Sequence, residues 1–362
     1  MADAISFSRG APSVDIVDIE GLRAAADRAF TNDPAGTTAY GTAVGYVPLR
    51  KLLAEKHGVQ PENVIVTNGS MQADAFLFDE LVTPGASVVV EKPSYDRTLL
   101  GLQERGAELT AIELEADGIS TAALRTALEG GLKPAFAHII PNYQNPGGST
   151  LPLEKRKELI ALAEEYDFLI FEDDPYREIR FRGEELPTMY ELAPERVVYA
   201  SSFSKTVCPG VRVGYLVGAP ELIAKIVRRA TNTYIAPDML AQSVVYELSQ
   251  DKDRYDGAIA NVKAKLRERC DLLAESLEKH LPEAKFVRPD GGYFLWAELP
   301  SNYDVEAAAG KMADYDVAFV KGSDFLLEGG KSSLRLAYSA VRADQVDEGV
   351  QRLAACLNAH KG

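Results

Sequence analysis

Between about residues 64 and 218, short β-rich runs alternate with amphipathic stretches, and this alternation limits the fold more than any other feature of the chain. The runs fall at residues 64–66, 88–90, 109–114, 135–140, 168–171, 197–200 and 213–217. Residues 154–166 show the intervening pattern: Leu159, Leu162, Ala163 and Tyr166 share one helical face, and charge lies opposite. Thr150 and Pro152 supply a start signal for that helix. Strands joined by crossover helices pair in parallel. The spacing therefore predicts a three-layer α-β-α domain, an α/β fold with a mainly parallel seven-stranded sheet.

From about residue 252 the pattern changes. A long helical segment (254–280) leads to strand-like 286–288 and to Gly291-Gly292-Tyr293-Phe294-Leu295-Trp296. A helical piece near 305–312, strand-like 317–320 and 334–338, and a closing helix over 343–357 follow. These predict a smaller α+β domain. The expected division is 36–251 for the large domain and 1–35 with 252–362 for the small one, within reach of 362 residues.

The net charge of −15 argues against nucleic acid or an anionic membrane as partner, since both reward positive charge. Cys208, Cys270 and Cys356 are far apart, no CxxC occurs and the four histidines are scattered, so no metal site is readable. Few cysteines suit a reducing, cytoplasmic setting. Residues 1–10 lack the basic start and apolar core of a signal peptide. No apolar run approaches the ~18 residues of a membrane helix.

In a parallel sheet, ligands bind beyond the carboxyl ends of the strands. There the chain places Ser202-Phe203-Ser204-Lys205, with Arg212 seven residues after the lysine. An amine condenses with an aldehyde, and hydroxyls with a guanidinium hold a phosphate. Pyridoxal phosphate carries both groups. Thr67-Asn68-Gly69-Ser70-Met71-Gln72 opens a helix on a glycine turn, which is either a phosphate cradle or a plain turn capped by Ser70. Tyr95 either stacks on a planar ring or is a half-buried loop aromatic. Asn145 is held extended before Pro146; it donates to a phenolate oxygen or simply serves the turn. Glu172-Asp173-Asp174-Pro175-Tyr176 sets a carboxylate where it would keep a pyridine nitrogen protonated, with Tyr176 near the ring oxygen. A metal site there lacks histidine partners; a solvated acidic turn is the other alternative. Arg335, flanked by Leu334 and Leu336, binds a substrate carboxylate or closes a structural salt bridge. His138 reads as a core histidine and Cys208 as a small hydrophobe.

Together these segments resemble the class I/II aminotransferases of pyridoxal-phosphate fold type I, over nearly the whole chain. The likeness includes Tyr40-Gly41, residues 45–50, the turns above, residues 291–296 and Leu334-Arg335-Leu336. The Pro209-Gly210 before Arg212 is most similar to the branch of 2-aminoadipate, kynurenine and aromatic aminotransferases. The resemblance implies a Schiff base on Lys205, with Asp173 on the pyridine nitrogen and Asn145 and Tyr176 on the ring hydroxyl oxygen. It implies Tyr95 stacked on the ring, and the phosphate held by Ser70, the Met71 backbone, Ser202, Ser204 and Arg212. Tyr40 is similar to a tyrosine reaching a neighbouring subunit's phosphate, which implies a homodimer. Arg335, with Asn145, matches the group that binds the substrate α-carboxylate. Lys205, Asp173 and Tyr95 are thus the expected catalytic residues. Gly147 and Met71 depart from the family's usual threonine and glutamine.

The implied reaction is ping-pong amino transfer between an L-amino acid and a 2-oxo acid, 2-oxoglutarate or pyruvate. A pyridoxal lyase, decarboxylase or synthase on the same fold is the alternative. A non-catalytic sensing module and an S-x-x-K acylase fit less well, the latter because its K-T-G is missing. For a second carboxylate, Arg9 and Arg97 are the candidates; Tyr234, Tyr293 and Phe294 suit an apolar side chain.

Overall fold

A computed structural model describes residues 4–362. The large sheet comprises β1 (Val64–Thr67), β2 (Ser87–Lys92), β3 (Glu108–Glu115), β4 (Gly118–Ile119), β5 (Phe136–Ile139), β6 (Leu169–Asp173), β7 (Val197–Ser202) and β8 (Gly214–Val217). Their order is β1-β8-β7-β6-β5-β2-β3-β4. All seven expected runs are strands. The sheet nevertheless has eight members, because Gly118–Ile119 folds back antiparallel on the end of β3, Ile119 opposite Leu114. Two residues are too short to display a strand period. The pairs β3–β2, β2–β5, β5–β6 and β6–β7 are parallel, whereas β8 runs antiparallel to β7 and β1.

Alternate residues feed two cores, as the pleat requires. Val64, Val66, Val89, Ala137, Ile139 and Ile170 pack on one face. Ile65, Val88, Val90, Phe136 and Phe171 pack on the other. Both faces are covered, so the central strands are apolar throughout, not alternating.

The small domain holds an antiparallel sheet of Lys285–Phe286, Phe294–Glu298, Ser333–Ala337 and Val320–Lys321, with Trp296 opposite Arg335. Helices Lys252–His280 and Val346–Asn358 pack on each other beside it. In the long helix, Ile259, Val262, Leu266, Cys270, Leu273 and Leu277 recur at three or four residues and form the buried stripe. The expected strand 317–320 is in fact two: Val317–Ala318 pairs with Ile5–Ser6, and Val320–Lys321 joins the small sheet. The expected helix 305–312 stops at Ala309, before Gly310.

Residues 5–32 contact both cores. Ile5, Phe7 and Ile16 do join the small-domain core. Helix Ile19–Asn32 instead packs on Met239–Gln250, and its Ala25 lies in the large-domain core. Its apolar stripe of small residues fits that helix closely. Among the described residues no helix is long and apolar enough to cross a membrane, and no group of three or more His, Cys, Asp or Glu is placed to hold a metal.

Candidate active site

The parallel topology brings the carboxyl ends of β1, β2, β5, β6 and β7, and the amino end of β8, to one sheet edge. A cavity of ≈ 280 Å³ opens there. Ser70, Met71, Tyr95, Asn145, Asp173, Tyr176, Ser202, Ser204, Lys205, Arg212 and Arg335 all line it. Tyr40 does not; it stands 91% exposed on the surface of this chain.

At one end the helix Ser70–Leu81 begins. Its cap, Gly69, has no side chain to satisfy the first-turn amides, so the Ser70 and Met71 N–H groups are available to an anion. Gly69 is required by its φ of +85°, and a Cβ there would also lie 2.2 Å from Arg212 Nη2 and displace that guanidinium. Arg212 Nη1 donates to Ser204 Oγ at 3.2 Å. Ser202 Oγ donates to the Val213 carbonyl (3.2 Å) and accepts from the Ser204 N–H (3.1 Å), so its hydroxyl shapes the loop.

Asp173, the last residue of β6, is 5% exposed, and its Oδ1 has no partner. Its Oδ2 lies 3.5 Å from Nε2 of the fully buried His138. A buried, half-unsatisfied carboxylate is costly unless a donor completes it. Tyr176 is buried, and burial holds its phenol well above the usual range, so it remains a proton donor. Tyr95 closes the cavity from the turn before helix Asp96–Glu104.

Lys205 Nζ donates to the Gly10 carbonyl at 2.8 Å and lies 5.2 Å and 5.7 Å from the Tyr293 and Tyr176 ring centres. A Cβ on Gly10 would meet Phe294 at 2.2 Å, so only glycine brings this carbonyl so close. Burial first, then the Arg335 and Arg212 charges, lowers the amine to about 8, against the pull of Asp173. Opposite, Arg335 Nη1 donates to Asn145 Oδ1 at 3.0 Å and Nη2 to the Ser8 carbonyl at 2.9 Å. Its Nε has no partner. The guanidinium is clamped between the Phe294 and Phe325 rings, at 4.1 and 4.6 Å.

Sequence reasoning missed Asp74, which also lines the cavity, and the clamp residue Phe325. It placed His138 in the core, where it is, without its contact to Asp173. Of the two candidate second arginines, Arg9 lines the cavity, whereas Arg97 pairs with Asp96 at 3.4 Å and faces a neighbouring hollow.

The residues fit pyridoxal phosphate: an uncapped helix start with Arg212 for the phosphate, an unpartnered buried oxygen for the ring nitrogen, and a weakly basic amine for the aldehyde. Comparison with known proteins agrees. The family described as Aminotransferase class I and II matches residues 2–353. A 2-aminoadipate transaminase of Thermus thermophilus is 33% identical over 98% of this chain and 90% of its own. Aromatic-amino-acid aminotransferase 1 of Thermococcus litoralis is 30% identical over 98% of this chain and 88% of its own. The crystal structure of an α-aminoadipate aminotransferase from Thermus thermophilus, complexed with N-(5′-phosphopyridoxyl)-L-leucine, superposes with a TM-score of 0.94 at 33% identity. It covers 99% of this chain, which covers 92% of it. The fold is that of pyridoxal-phosphate fold type I, and pyridoxal phosphate is the cofactor. With cavity, fold and sequence in agreement, the chain belongs to the class I and II aminotransferases, which are transferases.

Proposed function

We propose that this cavity moves the amino group of an L-amino acid to a 2-oxo acid, 2-oxoglutarate or pyruvate, in two separate half-reactions. One observation carries the reading. Lys205, an amine lowered to about 8, lines one cavity with the buried carboxylate of Asp173 and the buried guanidinium of Arg335. Bound here, pyridoxal phosphate supplies an aldehyde carbon and an electron-withdrawing ring.

The chain's own residues do the rest. Ser70, Ser204, Arg212 and the Met71 N–H hold the phosphate, while Ser202 keeps their loop in shape. Asp173, steadied by His138, keeps the ring nitrogen protonated. Tyr176 and Asn145 donate to the ring's hydroxyl oxygen, and Tyr95 covers the ring face. Arg335 and Asn145 fix the substrate α-carboxylate, which orients Cα toward Lys205. Lys205, half neutral at pH about 8 and mostly neutral above it, removes the Cα proton and later returns one. Tyr40, solvent-facing here, would reach the phosphate site of a neighbouring copy, so the working form is a homodimer.

The test is a single half-reaction. Protein loaded with pyridoxal phosphate and given an amino acid alone should release one 2-oxo acid per site and then stop until a 2-oxo acid is added. Continuous product or ammonia release without acceptor overturns amino transfer in favour of a lyase.

The same cavity suggests an acceptor preference. Arg9 lines it, is exposed and makes no ion pair among the described residues. It is placed to meet the distal carboxylate of 2-oxoglutarate, a group that pyruvate lacks. Arg9→Ala should raise KM for 2-oxoglutarate about fivefold, the size of a partly exposed ion pair of ~1 kcal/mol, and leave KM for pyruvate unchanged. Equal changes for both acceptors would exclude this role.

A further inference from the structure

Asp74 stands four residues into the helix that starts at Ser70, one turn below the phosphate end. Its neighbours Ala73, Phe76, Leu77 and Phe78 are buried and apolar, as a core-facing helix requires. Asp74 is only 6% exposed, and its Oδ1 has no partner. No cation pairs with it among the described residues. It forms part of the wall between the main cavity and the hollow behind helix Asp96–Glu104. An acid in such a place is costly and is neither an ion-pair member nor a cap. It shares the main cavity with Asp173, whose Oδ1 is likewise unpartnered.

We propose that Asp74 is a positioning residue of the cofactor site, a second carboxyl in the cavity of Asp173 that would set the electrostatic field on the bound ring. The inference rests on the assignment of Asp173 to the ring nitrogen. Without a ring, burial and then the Asp173 charge keep Asp74 protonated well above the usual carboxylate range. A ring nitrogen carrying its proton neutralises Asp173 locally. The repulsion on Asp74 then falls, and the proton of Asp74 becomes easier to lose. Once ionised, Asp74 adds a second negative charge, which favours every protonated nitrogen of the bound cofactor.

The surroundings leave that charge exposed to the cofactor. Tyr95 and Asp96 face it from the head of the neighbouring helix and supply no positive charge. Arg97 on that helix and Arg105 just past its end are engaged by Asp96 and Asp79, and Glu104 is acidic. Lys205 and Arg212 line the same cavity, and Arg212 lies against Gly69 at the phosphate end of the helix, one turn from Asp74.

The test is a pH titration of the visible absorption band of the bound cofactor, in the wild type and in Asp74→Asn. Asparagine keeps the shape and removes the charge. The midpoint should fall by about one pH unit, the size expected when a nearby opposite charge is lost. Loss of cofactor from a folded variant, at concentrations that load the wild type, is the stronger form of the same result. If Asp74→Asn does not fold, Asp74→Ser serves, with the same expected direction. Superimposable titrations overturn the Asp74 role alone. A wild type that takes up no cofactor overturns it together with the function on which it rests.

Discussion

Lys205→Ala is expected to lower turnover by at least ~10⁴-fold, the upper range for one positioned acid–base group, since the same nitrogen also serves as the covalent anchor. The variant should also yield no cofactor-labelled protein after borohydride reduction. No other amine lines the cavity among the described residues, so no neighbour can substitute. Retained transamination in Lys205→Ala would sink the assignment. A pH dependence accompanies it. The nucleophile is the neutral amine, and burial with Arg335 and Arg212 lowers its pKa to about 8, far below that of a free lysine. The rate of cofactor loading onto the apoprotein should therefore rise with pH, level off above about 8, and fall tenfold per unit well below it. Stopped-flow absorbance over pH 6–9.5 (a range of roughly two units around that value) reads this directly. A midpoint near 10 would mean that the cavity does not tune the amine.

Features local in sequence were legible, and features made by long-range contact were not. Six strands announced themselves as runs of at least three apolar residues between turn signals, and residues 109–114 as a β-rich stretch interrupted by Thr110 and Glu113; Gly118–Ile119 is too short to do so. Gly69, Asp173 and Lys205 were legible because a strand end, a glycine turn or a hydroxyl-rich turn lies beside each. The Gly10 carbonyl that holds Lys205 comes from 195 residues away, and no pattern links the two. His138 reaches Asp173 only through the register of β5 against β6, which the sequence does not display. Ser202 stands where the motif puts it, in the cavity wall, and its contact with the Val213 carbonyl is one that the motif does not display. Asp74 left a readable trace, one acid on the buried face of an apolar helix. The motif at Ser70 drew attention to the helix start and away from its second turn.

Arg335→Ala should lower kcat/KM by roughly 30-fold to several thousand-fold, the 2–5 kcal/mol lost when one member of a buried, hydrogen-bonded charge pair is truncated. The geometry argues for the upper part of that range. Arg335 is buried, and two of its nitrogens are already fixed by Asn145 and Ser8, so the guanidinium is oriented before substrate arrives. Phe294 and Phe325 pack against the guanidinium, at 4.1 and 4.6 Å, and hold it in that orientation. Arg335→Lys separates charge from shape. It keeps the positive charge but has no planar fork to fit between the rings, so it should recover only part of the loss. A structural salt bridge makes a different prediction. The nitrogens of Arg335 meet a side-chain amide and a carbonyl, and no carboxylate pairs with it among the described residues. If its role were structural, alanine would lower the melting temperature and leave the kcat/KM of the folded fraction nearly unchanged. If it binds the α-carboxylate, every amino donor and every 2-oxo acceptor should lose the same factor, because all of them carry that group. Losses that differ strongly between donors would place Arg335 at the side chain instead.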